Sequence, residues 1–242
     1  LAAYVLADIL YEAGLPPPML SVVTGDPREI ADELLTHPDV DLVTFTGGVA
    51  VGKAIAGRAV YKRQVLELGG NDPIIVMDDA DIEEAATLAA SGSYKNSGQR
   101  CTAVKRMLVH VAVADDFVER LVAKSKAVKC GDPLDPATDM GTVIDEPAAA
   151  EFERRVNDAA DAGARLLLGN ERRGALYFPT VLDHVQPSMR LVKEETFGPV
   201  APLFRFETEH QAVAMANDTE FGLAAYFFSR DVGRIFRVAE AI

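Results

Sequence analysis

The sequence predicts an α/β protein organised on a parallel, doubly wound sheet. Two observations lead there. Short apolar runs alternate with segments of helical periodicity through the first seventy residues, and a glycine-rich turn, Gly47-Gly48, directly follows one such run. Leu1, Val5 and Ile9 recur at helical spacing, and Gly14 with Pro16, Pro17 and Pro18 ends that helix. A short strand is expected over 20–23, a helix over 29–36, a buried strand over 42–45, a helix over 51–60 and another strand over 65–68. Right-handed crossovers place the loops after Phe45 and Leu68 at the carboxyl edge of the sheet, where ligands bind in such folds.

The pattern restarts after Gly69-Gly70, so residues 1–69 are taken as one domain and 70–242 as a second. Strands are expected over 73–77, 107–111, 166–168, 180–182, 201–206 and 224–228. Helices are expected over 81–90, 115–128, 151–162, 209–216 and 231–242, the second of them capped by Asp115 and Asp116. The chain opens on Leu1 inside a helical pattern and closes on an uncapped one, and both ends read as cut from a longer protein.

Composition sets the class of partner. The 242 residues are 49% hydrophobic and 25% charged, as in an ordinary globular protein. A net charge of −13 argues against nucleic acid and anionic membrane surfaces as partners. No apolar run approaches the ~20 residues needed to span a bilayer. Two cysteines, Cys101 and Cys130, make no disulfide framework, and a cytoplasmic location is expected. The four histidines are scattered without ligand spacing, so no metal site is expected.

Gly47-Gly48-Val49-Ala50-Val51-Gly52-Lys53 fits the first seven places of a P-loop, but the eighth, which needs a magnesium-binding hydroxyl, is Ala54. ATP binding is therefore disfavoured. Two readings remain open: backbone N–H groups at a helix N terminus that cradle a dinucleotide phosphate, or glycines that only turn the chain.

Cys101 sits in the small, polar run Asn96-Ser97-Gly98-Gln99-Arg100-Cys101-Thr102. A cation beside the sulfur favours the nucleophilic thiolate, yet a packed core thiol suits the surroundings equally well. Cys130, just after an amphipathic helix, reads as a small core residue. Glu67, in Leu66-Glu67-Leu68-Gly69-Gly70, ends an apolar strand, where desolvation would make it a stronger base; it also suits a solvated strand end.

Together these segments resemble the aldehyde dehydrogenase superfamily. The matching pieces are Phe45-Thr46-Gly47 with Gly52, Leu66-Glu67-Leu68-Gly69-Gly70, Gly98-Gln99-Arg100-Cys101, and Glu194-Glu195-Thr196-Phe197-Gly198-Pro199, in order along essentially the whole chain. The resemblance implies an aldehyde dehydrogenase-like α/β fold, with part of a Rossmann-like NAD(P)-binding domain and a C-terminally truncated catalytic domain. It implies NAD or NADP as cofactor. Cys101 would attack the aldehyde, its N–H would form half of an oxyanion hole, and Glu67 would activate the hydrolytic water. Leu68 and Gly69 would border the nicotinamide, and Glu195 and Phe197 would hold its ribose. Phe45, Thr46, Gly47, Gly48 and Gly52 would frame the pyrophosphate. Relatives often carry Ser where this chain has Gly48, which leaves that contact to backbone. The family's oxyanion-hole Asn and ribose-contacting Lys fall before Leu1, so this chain alone is expected to be inactive. The full-length protein is expected to form a homodimer or homotetramer.

Arg100 and Thr102 flank the nucleophile and are the candidate substrate-binding residues. A guanidinium there would hold a phosphonate, phosphate or carboxylate through paired hydrogen bonds; alternatively it pairs within the protein. The run through Lys105-Arg106 is similar to phosphonoacetaldehyde dehydrogenases and to non-phosphorylating glyceraldehyde-3-phosphate dehydrogenases. Gly70-Asn71-Asp72-Pro73 and Gly25-Asp26-Pro27 favour the phosphonate branch, with succinate-semialdehyde dehydrogenase as a further alternative. The expected substrate is a small anionic aldehyde. The rival of another class is a non-catalytic protein that keeps the fold.

Overall fold

The computed structural model describes residues 1–242, which divide into two compact units, Leu1–Leu68 and Gly69–Ile242. In the first, α1 (Ala2–Glu12) ends before Gly14, whose φ of 99° suits only glycine. Then α2 (Pro27–Thr36) starts where the Asp26 carboxylate caps the Arg28 N–H and Pro27 supplies a preset φ. β1 (Leu42–Thr46), α3 (Val49–Arg58) and β2 (Arg63–Glu67) form a βαβ unit in which β1 and β2 pair in parallel.

Two expectations fail in this unit. Residues 20–23 are not a strand. Leu20 is extended (φ −140°, ψ 133°), but its carbonyl accepts the Tyr11 hydroxyl at 2.6 Å and the unit's sheet contains just β1 and β2. Nor is β1 buried: it alternates between exposed and half-buried positions, because a two-stranded sheet offers little surface to cover it.

The second unit carries the main core. Its elements are β3 (Asp72–Val76), α4 (Ile82–Tyr94), β4 (Val104–His110), α5 (Ala114–Ala127), α6 (Glu146–Asp161), β5 (Arg165–Leu168), the short pair β6 (Arg172–Arg173) and β7 (Leu176–Tyr177), β8 (Thr180–Asp183), α7 (Arg190–Lys193), β9 (Val200–Phe206), α8 (Glu209–Asn217), β10 (Tyr226–Phe228) and α9 (Val232–Ala241). Six strands form one sheet in the order β10-β3-β4-β9-β8-β5, parallel except for β5 against β8.

Strands buried on both faces read as continuous apolar runs, and their period of two sends alternate residues to opposite layers. Ile75, Leu108, Phe204 and Phe206 join Phe152 and Val156 of α6. Ile74, Val76, Met107, Val109 and Leu203 join Ala85 and Ala89 of α4 and Phe117 and Leu121 of α5.

Local signals set most boundaries. Asp81 caps the Glu84 N–H, Asp145 the Ala148 N–H and Asp231 the Arg234 N–H, and Thr208 with Gln211 forms a reciprocal capping box. Asp115 and Asp116 lie in the first turn of α5, whose N-cap, Val113, makes no side-chain bond. The Asp145 cap with Pro147 starts α6 at Glu146, earlier than expected. α4 continues past residue 90 through Gly92, where a Cβ would collide with Val104 of β4. β4 begins at Val104 because Lys105 and Arg106, which suggest a loop in sequence, are both buried.

Phe117 is fully buried in the α4–α5 layer. Phe117→Ala is expected to lower unfolding free energy by about 3–5 kcal/mol in urea titration, and a loss under about 1 kcal/mol would contradict this packing.

Candidate active site

In the first unit the glycine-rich turn lies at the carboxyl ends of β1 and β2, tied by a hydrogen bond from the Gly47 N–H to the Glu67 carbonyl (3.0 Å). A Cβ at Gly47 would strike the Phe45 ring, and one at Gly52 would strike the Leu68 side chain. At both glycines the backbone lies close against a neighbouring side chain. Gly48 is different: it is the N-cap of α3, makes no side-chain cap bond, and has nothing within 4 Å of where a Cβ would stand. The N terminus of that ten-residue helix is uncovered, with Thr46 exposed beside it. Glu67 occupies the exposed register of β2 with Arg63 and Val65, so the desolvation expected for it is absent.

In the second unit the other candidates gather at the amino edge of the six-stranded sheet. Gly69 and Gly70 precede β3, Cys101 precedes β4, and Glu195 and Phe197 precede β9. Cys101 is a free, half-buried thiol in a tight turn closed by the Ala103 N–H on the Arg100 carbonyl (3.1 Å). The preceding backbone is held in the left-handed region at three consecutive residues: Asn96 (φ 56°), Ser97 (φ 56°) and Gly98 (φ 70°). For Asn96 and Ser97 this conformation costs about 1–2 kcal/mol each. Side-chain bonds offset it: Asn96 Nδ2 donates to the Gln99 carbonyl, and Ser97 Oγ to the Gly141 carbonyl (both 3.0 Å). Gln99 Oε1 accepts the Ile144 N–H, anchoring the turn to the next loop.

The neighbours of the sulfur have definite partners. Arg100 Nη2 donates to the Gly92 carbonyl of α4 at 2.8 Å, while its buried Nε has no partner. One nitrogen of the guanidinium is therefore engaged within the protein. The Thr102 carbonyl accepts the Tyr226 hydroxyl (2.7 Å), which fixes the far side of the turn to the edge strand β10.

Lys105 links these pieces. Its ammonium donates to the carbonyls of Gly70 (2.8 Å) and Cys101 (2.6 Å) and to Glu195 Oε1 (2.9 Å). The Lys105 side chain is 3% exposed and that of Glu195 18%. Glu195 Oε1 also accepts the Gly70 N–H, and Oε2 lies where a Cβ on Gly69 would fall. The Phe197 ring, 42% exposed, stands 5.8 Å from the ammonium. Arg106 is equally buried and donates to the carbonyls of Asn71, Met215 and Ala216.

Burial shifts two acids upward here. Asp72, with Oδ2 unpaired, is pushed up by desolvation, which outweighs the Ala224 N–H and the attraction of Lys105. Cys130 is raised by burial and by the negative charge of Asp139, as suits a core thiol packed beside α5.

Lys105, Arg106 and Asp72 were missed as sequence candidates. The available signal was two adjacent cations inside the apolar run Ala103-Val104 to Met107-Leu108, where solvated charges have no place.

The description "Aldehyde dehydrogenase family" matches residues 1–242, and the chain belongs to that family. It is 42% identical over 246 residues to succinate-semialdehyde dehydrogenase [NADP(+)] of Escherichia coli, covering 100% of this chain and 51% of that protein. It is 42% identical over 245 residues to 3-sulfolactaldehyde dehydrogenase of Pseudomonas putida, covering 99% and 50%. The structure of betaine aldehyde dehydrogenase from Staphylococcus aureus in complex with NAD+ superposes with a TM-score of 0.95 at 37% identity, covering 100% of this chain and 50% of that one. The fold is thus the aldehyde dehydrogenase fold, and the chain spans about half the length of these relatives.

Two outcomes follow from the loop geometry. Gly98→Ala would place a methyl group against the Gly198 carbonyl at a positive φ, so stability should fall by more than about 1 kcal/mol in urea titration. In a Cys101→Ser protein, Cys130 should alkylate slowly at pH 7, and the rate should still be climbing as the pH passes the ordinary thiol value of 9.0. Rapid labelling at pH 7 would show that Cys130 is not held as the neutral thiol.

Proposed function

We propose that the full-length protein oxidises a small anionic aldehyde to its carboxylate with NAD or NADP. The observation that carries the reading is Cys101 on a strained turn, held at one sheet edge with Gly70 and Glu195 by a single buried ammonium. The residues fit a dinucleotide. Gly48 leaves the N terminus of α3 open to a phosphate, and Glu195 keeps both of its bonds on Oε1, so Oε2 remains for ribose hydroxyls. When bound, the nicotinamide supplies the hydride acceptor.

The chain's own residues do the rest. Cys101 Sγ adds to the aldehyde carbon, and the oxygen gains negative charge. The Cys101 N–H is assigned as a donor to that oxygen. After hydride loss a thioester remains on Cys101. Glu67 is assigned as the base that takes a proton from the water that hydrolyses it. Leu68 and Gly69 border the nicotinamide side, Phe197 stands with Glu195 at the ribose, and Phe45, Thr46, Gly47 and Gly52 shape the phosphate turn. The full-length protein is a homodimer or homotetramer in this reading.

The names of two relatives carry a carboxylate or a sulfonate on the aldehyde, and this supports an anionic substrate. Arg100 supports it less than its place beside the sulfur suggests, since Gly92 already holds one of its nitrogens. Phosphonoacetaldehyde remains the particular substrate proposed, because Gly70-Asn71-Asp72-Pro73 and Gly25-Asp26-Pro27 resemble that branch more than its neighbour.

The test is NAD(P)H formation by the full-length protein and its Cys101→Ser variant. The substrates are phosphonoacetaldehyde, glyceraldehyde 3-phosphate, succinic semialdehyde, 3-sulfolactaldehyde and an uncharged aldehyde. An anionic aldehyde should exceed the uncharged one by at least about tenfold in kcat/KM, and Cys101→Ser should abolish turnover. Equal rates would overturn the anionic assignment. No turnover with any substrate would favour a non-catalytic protein.

A further inference from the structure

Lys105 occupies an irregular place in the sheet. Along β3 and β4, Asp72 pairs with Val104 and Pro73 with Arg106, so Lys105 is an extra residue without a ladder partner. It is a β-bulge opposite a proline, whose missing N–H would have broken the ladder there in any case. Bulges re-aim side chains, and this one takes an ammonium into the interior. All three of its donors are occupied: the Gly70 carbonyl before β3, the Cys101 carbonyl before β4, and the Glu195 carboxylate before β9.

We propose that Lys105 is a positioning residue that sets both halves of the chemistry at this edge. Toward the cofactor, it holds Glu195 by Oε1, with Oε2 turned to Gly69 and left to accept ribose hydroxyls. Toward the nucleophile, it cancels the Glu195 charge, which would otherwise oppose a thiolate on the residue whose carbonyl Lys105 also binds. This rests on the assignment of Cys101 and Glu195 above. A lysine that merely filled the bulge would affect stability alone.

The experiment compares Lys105→Met, Glu195→Gln and the double variant in the full-length protein. Two quantities are read: the rate of Cys101 alkylation by iodoacetamide without cofactor, and the Kd for NAD(P) by fluorescence titration. Lys105→Met leaves the Glu195 charge unpaired, so alkylation should slow on the order of tenfold, and the double variant should recover to within about threefold of the unsubstituted protein. Cofactor binding should weaken in all three. The proposal is overturned if Lys105→Met changes neither quantity, or if the double variant alkylates as slowly as Lys105→Met. Should Glu195→Gln leave the NAD(P) Kd unchanged, the ribose role of Glu195 fails by itself, and the alkylation rates still decide the role of Lys105 toward Cys101.

Discussion

Two adjacent cations enter the interior at the start of β4, and the amino edge of the sheet is arranged around their donors. A buried charge is tolerated only when paired and hydrogen-bonded. Lys105 meets this condition with two carbonyls and a carboxylate, Arg106 with three carbonyls. Their acceptors come from segments far apart in sequence: the glycine pair before β3, the nucleophile turn, the end of α8 and the Glu195 segment. The edge is therefore fixed by polar bonds whose loss would strand charges in the core, while the two apolar layers fix the sheet behind it. An ion network carries this order outward. Arg155 donates to the Glu195 carbonyl and pairs with Glu151 and Glu194, and its hydrogen bond is the largest cause holding Glu151 down to about 2.

The nucleophile turn shows how such an edge tolerates strain. Left-handed backbone is costly at Asn96 and Ser97 and free at Gly98, and here it is held by side-chain bonds of the first two and, at the glycine, by contacts with no room for a Cβ. The conformation allows the chain to leave α4, reverse and present Cys101 before it enters β4. Gln99 and Tyr226 bind the turn from either side, so the sulfur is carried by a segment with little freedom of its own.

Much of this was legible in the sequence. Apolar runs at strand length, Asp and Thr signals at helix starts, and glycine or proline at their ends give most elements, because these depend on local chemistry. The candidate residues were also legible, as four short motifs in register. What escaped was decided by tertiary pairing. Residues 20–23 have strand-like composition but no ladder partner. Glu67 ends an apolar run yet falls on the exposed register of β2. Lys105 and Arg106 look like a loop because charge normally marks the surface, and only the fold reveals the carbonyls that receive them. Arg100 reads in sequence either as a ligand-holding or as a structural guanidinium, and only the fold brings the Gly92 carbonyl to it.

The bulge at Lys105 has a consequence for how this sheet can change. Removing that one residue would take out the register shift between β3 and β4 and shed a buried charge, although Pro73 would still donate nothing to the ladder. By folding criteria alone the shorter sequence is the better sheet. The three segments that the ammonium now gathers would then have nothing in common to bind. Regularity of the scaffold and convergence of its loops are opposed at a single backbone position, where chains of this kind could exchange one for the other.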